Sequence, residues 1–163
     1  MGVAALAEGL AATPLSKVIG DTAWVTPAVQ TVHILAIAAV MAAILMTNLR
    51  ALDAFGRDET LARFSHRYAG WIVGALLVLL ASGSLLIVGE PQRSLENSVF
   101  WLKMSCLAVA LLATATIHAP LAGNDAFWES KGRAVVLRGL AGSSLLVWVA
   151  IIFAGRWIAY AVT

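Results

Sequence analysis

Charge is what this sequence has least of. Lys, Arg, Asp and Glu make up 12% of its 163 residues, about half the share found in soluble domains. So little charge cannot cover a surface that meets water on all sides. The formal net charge is +2, and the basic residues are scattered rather than gathered into a patch, which leaves nucleic acid without a docking surface. Cysteine is nearly absent too. Cys106 is the only one, so an intrachain disulfide is excluded, and its apolar neighbours suit a small buried side chain. There is no Walker loop, glycine-rich dinucleotide motif, Ser/His/Asp set or metalloprotease motif, and a soluble-type hydrolase or nucleotide enzyme has no support. Residues 1–20 lack the basic start and compact apolar run of a signal peptide. They are expected to be retained, with the first span acting as the insertion signal.

What the chain has in abundance is apolar surface: 61% of its residues are hydrophobic. Crossing about 30 Å of hydrocarbon takes roughly 20 apolar residues in a helix. Four segments qualify, at about residues 28–49, 69–89, 99–120 and 140–160. The expected architecture is all-α: a four-span transmembrane bundle over residues 28–163, preceded by an N-terminal interfacial segment over residues 1–27. In that segment Leu6, Leu10, Leu15, Val18 and Ile19 alternate with Glu8, Ser16, Lys17 and Asp21, a pattern suited to the headgroup layer, with a break at Pro14. Trp24, Trp71, Trp101, Trp128 and Trp157 lie near span ends, as interfacial anchors do. The two polar loops and their flanks carry Arg50, Arg57, Arg63, Arg67, Lys131, Arg133 and Arg138, against Lys17, Arg93, Lys103 and Arg156 on the other side. That excess places the loops in the cytoplasm and both termini outside, in the periplasm of a bacterial inner membrane.

Ionisable residues at membrane depth are costly and are functional candidates by default. Here they are His33, Lys103 and His118, with His66 at a span entrance. The topology puts His66 and His118 at similar depth on consecutive antiparallel helices, the geometry for one imidazole on each face of a haem iron. Steps of three and four from His66 give Gly70, Gly74, Leu77, Ala81 and Ser84, a smooth stripe for a flat macrocycle or a packing helix. Lys103, Leu107, Ala110, Thr114 and His118 share a stripe on span three. Both stripes are expected to face inward. At the other end, His33 and Lys103 form a candidate pocket for a haem propionate, a quinone head group or a small acid, with His33 as ligand or proton donor and Lys103 as counter-charge. Met41, Met46 and Met104 offer soft ligands for copper, though packing accounts for them as well.

The run Trp24-Val25-Thr26-Pro27-Ala28-Val29-Gln30-Thr31-Val32-His33-Ile34-Leu35, with Asn48-Leu49-Arg50-Ala51-Leu52 and Phe100-Trp101-Leu102-Lys103, resembles a small four-span bacterial inner-membrane family of unknown function. The resemblance implies that His33, Arg50 and Lys103 are that family's marked positions, and it brings no activity. More loosely, the layout is similar to the copper-resistance D family and to membrane cytochromes of the b561 kind. In those cytochromes, histidines from several helices hold two haems and exchange electrons with quinone. Two bis-histidine haems need four histidines and this chain has three, so the resemblance extends to a single haem b on His66 and His118.

Three functions are therefore expected to compete. The first is a membrane electron carrier with one b-type haem, exchanging electrons with quinone or a redox partner protein. The second is a copper or small-solute transport or handling protein, thin enough to need homo-oligomerisation. The third is a non-catalytic subunit that anchors a partner in the bilayer.

Overall fold

A computed structural model describes residues 2–157. Its long elements are four apolar helices: α3 (Val25–Ala51), α4 (Leu61–Gly89), α6 (Ser98–His118) and α7 (Lys131–Trp157). They are joined by three short α-helices, α1 (Val3–Ala11), α2 (Pro14–Asp21) and α5 (Pro91–Leu95), and by a 3₁₀ turn, Ala119–Ala122, that continues α6. At 1.5 Å per residue, the 27 residues of α3 reach about 40 Å, more than the hydrocarbon thickness. Residues 158–160 of the expected fourth span lie outside the described residues.

Most of the spans' surface stays uncovered by protein. Leu35, Leu80, Leu112, Leu146 and Phe153, drawn from all four helices, are exposed. Side chains so placed would be costly in water and are at home in lipid. The chain is a multi-pass helical membrane protein.

Local chemistry sets the helix starts. Pro14 opens α2 behind Thr13, whose hydroxyl accepts from Ser16 N over 3.3 Å. Thr60 does the same for α4 through Arg63 N, and Asn97 for α6 through Val99 N. Each cap satisfies a backbone donor that the helix itself cannot. Helix α4 begins eight residues before the apolar run and α7 nine before. Their first turns carry Arg63, His66 and Arg67, or Lys131, Arg133 and Arg138, which helical geometry tolerates and hydropathy does not register.

The spans pair as α3 with α4 and α6 with α7, and the pairs meet along an α3–α7 seam. Val40, Ala43 and Ile44 of α3 meet Ile72 and Ala75 of α4, Ala110 of α6 and Trp148 and Ile151 of α7 in the central core. Met41 packs against this core. A second cluster, at the end bearing the two polar loops, joins Ala51, Ala62, Ile117, Leu121, Trp128, Leu137 and Ala141. Here the sequence reading of Trp128 is corrected. It is 7% exposed and its indole donates to the Ile117 carbonyl over 3.0 Å, so it pins the loop to α6 instead of anchoring in headgroups. Trp24, Trp71, Trp101 and Trp157 are exposed, as anchors should be.

The N-terminal pair α1–α2 is bent by 71° at the expected break. It packs on the far end of the bundle, against α4 and α5. The absence of a side chain at Gly89 makes this possible: a Cβ there would come within 2.8 Å of Ile19 Cγ2. Ala7, Ser16 and Ile19 are buried in consequence, so one face of this segment meets protein.

Candidate functional site

Two histidines from different helices are each held by a serine of α4. His33 Nδ1 lies 2.8 Å from Ser82 Oγ, and His118 Nδ1 lies 2.5 Å from Ser65 Oγ. Ser65 and Ser82 are both buried. Their 17-residue separation, at 1.5 Å per residue, puts the two pairs about 25 Å apart along α4, one near each end of the bundle.

Ser82 Oγ also lies 2.6 Å from the Val78 carbonyl, a short contact that favours this carbonyl as acceptor of the Ser82 hydrogen. That arrangement assigns the hydrogen shared with His33 to Nδ1 and leaves Nε2 with its lone pair. A Cβ on Gly83 would stand 3.4 Å from His33 Cε1, so glycine leaves the imidazole its space.

Lys103 completes this end. Its chain lies across α7 at Gly155, where a Cβ would stand 3.7 Å from both Cε and Nζ. Its ammonium is within electrostatic reach of His33. Among the described residues it has no hydrogen bond or ion pair. His33 and Lys103, expected to share one pocket, are thus brought within electrostatic reach of each other, and Ser82 is the partner that sequence reasoning missed. Two hydroxyls seventeen residues apart on one span, each level with a histidine, are the signal that was available.

The opposite end is arranged differently from the expectation. His118 faces inward on the stripe of Lys103, Leu107, Ala110 and Thr114 as expected, with Ala110 and Thr114 buried. His66 does not face inward. Its side chain is 60% exposed and its Nε2 is 4.0 Å from Asp125 Oδ1 in the α6–α7 loop. The inward face of α4 runs instead through Ser65, Ile72, Ala75 and Ser82, about 100° round the helix from His66. At Gly70 and Gly74 the space beside the backbone is open, with no atom within 4 Å of where a Cβ would stand. Both line an outer groove against α3, away from His118. His66 and His118 remain within electrostatic reach of each other, so the pair is brought near, but the glycines do not belong with it.

Beside them a polar clamp joins the loops. Asp53, in the left-handed region at φ 56°, accepts from Arg50 Nη1 at 3.0 Å and from Arg138 Nη2 at 2.7 Å. Arg50 Nε also donates to the Glu59 carbonyl over 2.9 Å, and Glu59 pairs with Arg67. The hydrogen bond from Arg138 is the main reason that the Asp53 carboxyl titrates below the ordinary carboxylate range. Burial opposes that shift, and the Arg138 charge and Arg50 reinforce it. Arg50, a marked position of the resemblance, is therefore a structural tie between α3 and the loop. Among the described residues no group of three or more His, Cys, Asp or Glu is placed to hold a metal ion.

These features define a helical membrane protein with one clasped imidazole near each end, one of them within electrostatic reach of an ammonium that has no hydrogen bond or ion pair among the described residues. The chain belongs to DUF6644, a family of unknown function, whose model matches residues 10–161. Comparison with curated proteins and with solved structures found no match, and the likeness to copper-resistance D and b561-type proteins rests on layout alone.

Proposed function

We propose that the protein is a membrane electron-transfer protein that takes the head group of a quinone between His33 and Lys103. The observation that carries this reading is the Lys103 ammonium, without a hydrogen bond or ion pair among the described residues, within electrostatic reach of an imidazole that is held through Nδ1. An isolated ammonium at membrane depth is costly, and a donor beside an acceptor matches a group that both gives a hydrogen and accepts one. A hydroquinone hydroxyl is such a group: it donates to His33 Nε2 while Lys103 donates to its oxygen. When the hydroquinone gives up one electron, the bound hydroxyl gives one proton to His33, which acts as the general base. In the orientation expected from the basic loops, this end faces the periplasm.

One b-type haem is the proposed electron acceptor, at the other end. Support for it is the Ser65 contact to His118 Nδ1, the partner arrangement that fixes a ligating imidazole and leaves Nε2 for iron. His66 supplies the second ligand only if its ring turns away from Asp125. When bound, the haem would store one electron at a time. Copper handling has less support, since Met41 packs in the core and Met104 lies on an exposed face.

The test is to purify the protein in detergent, extract its quinone and record reduced and oxidised spectra. Co-purified quinone that is lost in His33→Ala and Lys103→Met supports the head-group site. A Soret and a sharp reduced α band that is lost in His118→Ala supports the haem. Quinone content unchanged in both variants overturns the first, and a colourless preparation or one whose bands survive His118→Ala overturns the second.

A further inference from the structure

We infer that the outer groove between α3 and α4 is a binding site for one anionic phospholipid. The groove is open to the outside and offers about 650 Å³. Its lining is apolar, with Ala36, Ala39, Gly70 and Gly74 leaving room between the larger Leu35 and Trp71, and its one charged residue is Arg67 at one end. An apolar trough that ends in a guanidinium matches a molecule with an apolar chain and an anionic head.

Length separates a lipid from a second protein helix. From Arg67 to Val78 the groove follows α4 for 11 residues, about 16 Å at 1.5 Å per residue. That is close to half of the roughly 30 Å hydrocarbon thickness, the depth of one leaflet and so of one acyl chain. A helix of a second copy crosses both leaflets and would need a trough running the whole span. The glycines matter because nothing else fills their place: a Cβ at Gly70 or Gly74 meets no atom within 4 Å.

Arg67 has capacity to spare for a phosphate. Its Nη2 pairs with Glu59, and among the described residues its other nitrogens bond nothing. Guanidinium forks suit phosphate oxygens. Arg63 is exposed one turn before it, and such basic residues at a membrane surface favour anionic over zwitterionic lipid.

Native mass spectrometry of the detergent-purified chain, titrated with phosphatidylglycerol or phosphatidylcholine, tests the site. The expected result is one phosphatidylglycerol retained per chain at concentrations where phosphatidylcholine is not. Gly74→Leu, which fills the trough on an exposed helix face, should weaken retention at least fivefold. Arg67→Gln should reduce phosphatidylglycerol to the level of phosphatidylcholine. Equal retention of the two lipids, or unchanged binding in Gly74→Leu, overturns the inference. So does a dimer that becomes a monomer in Gly74→Leu, because the face would then be a contact between copies.

Discussion

Ser82 on α4 holds Nδ1 of His33 on α3 at 2.8 Å. Its 2.6 Å contact with the Val78 carbonyl favours donation from the ring to the hydroxyl. The ring's imidazole nitrogens should therefore show a protonated Nδ1 and a bare Nε2 by ¹⁵N NMR in micelles. In Ser82→Ala that preference should be lost, while stability falls by only about 0.5–1 kcal/mol, as for other interhelical hydrogen bonds in membranes. A protonated Nε2 in the native chain would sink the assignment and the acceptor role built on it.

The glycines of α4 and its preceding loop should respond in opposite directions to the same substitution. Gly56 has φ +67°, and a Cβ there would meet Phe64 Cε2 at 2.8 Å. Phe64 is buried and cannot swing away freely. Gly56→Ala should cost about 1–3 kcal/mol from strain and clash together. Gly70 sits inside a helix with open space at its Cβ, so Gly70→Ala should stabilise by about 0.5–1 kcal/mol. Unfolding in mixed micelles with increasing SDS measures both. Equal signs would contradict the local conformations.

How much could be read without coordinates follows from what lipid does to sequence patterns. The four spans were legible because twenty-odd apolar residues in a row have few other uses. The inward face of α4 was not. In a soluble helix the apolar stripe marks the core, but here Leu80 and Val73 face lipid as readily as Ile72 faces protein, so apolar periodicity carries no direction. Small residues misled for the same reason, as Gly70 and Gly74 lie on the outer side. Buried hydroxyls point more reliably: Ser65, Ser82, Ser144 and Thr114 are all buried, and each would be costly facing hydrocarbon. His33 with Lys103 was foreseeable because both are polar residues about one turn inside the same leaflet. The Asp53 clamp was not, since it depends on a loop conformation with positive φ.

That clamp predicts an acid-sensitive end. The folded-state pKa of Asp53 is lowered, chiefly by the hydrogen bond from Arg138. Its contribution is therefore present above the unfolded value of about 3.9 and is lost as pH falls through the lower folded value. Stability should be level from neutral pH to about 5 on this account, then decline below about 4. Asp53 is 41% exposed, so solvent screening keeps the effect at or under about 1 kcal/mol, weaker still in high salt. Asp53→Asn, which tolerates the left-handed backbone, should remove that part of the acid dependence. Unfolding curves of the two proteins at pH 7 and pH 3 measure the difference. Identical slopes between them would show that the Arg138 contact is not maintained.

Trp148 sets a different kind of test, because its indole is the one buried side-chain donor left over among the described residues. It is 3% exposed, and its Nε1 has no partner among the described residues. Leaving such a donor unmet costs about 1–3 kcal/mol, while the ring fills the centre of the bundle beside Val40, Ile72 and Ala110. Trp148→Phe removes the orphan hydrogen and keeps much of the packing, so the two effects should nearly cancel, within about 1 kcal/mol. Trp148→Ala keeps neither ring nor packing and should cost about 3–5 kcal/mol. If Trp148→Phe proves almost as damaging as Trp148→Ala, the indole hydrogen has an acceptor, and the centre of the bundle holds a polar group that these packing contacts do not include.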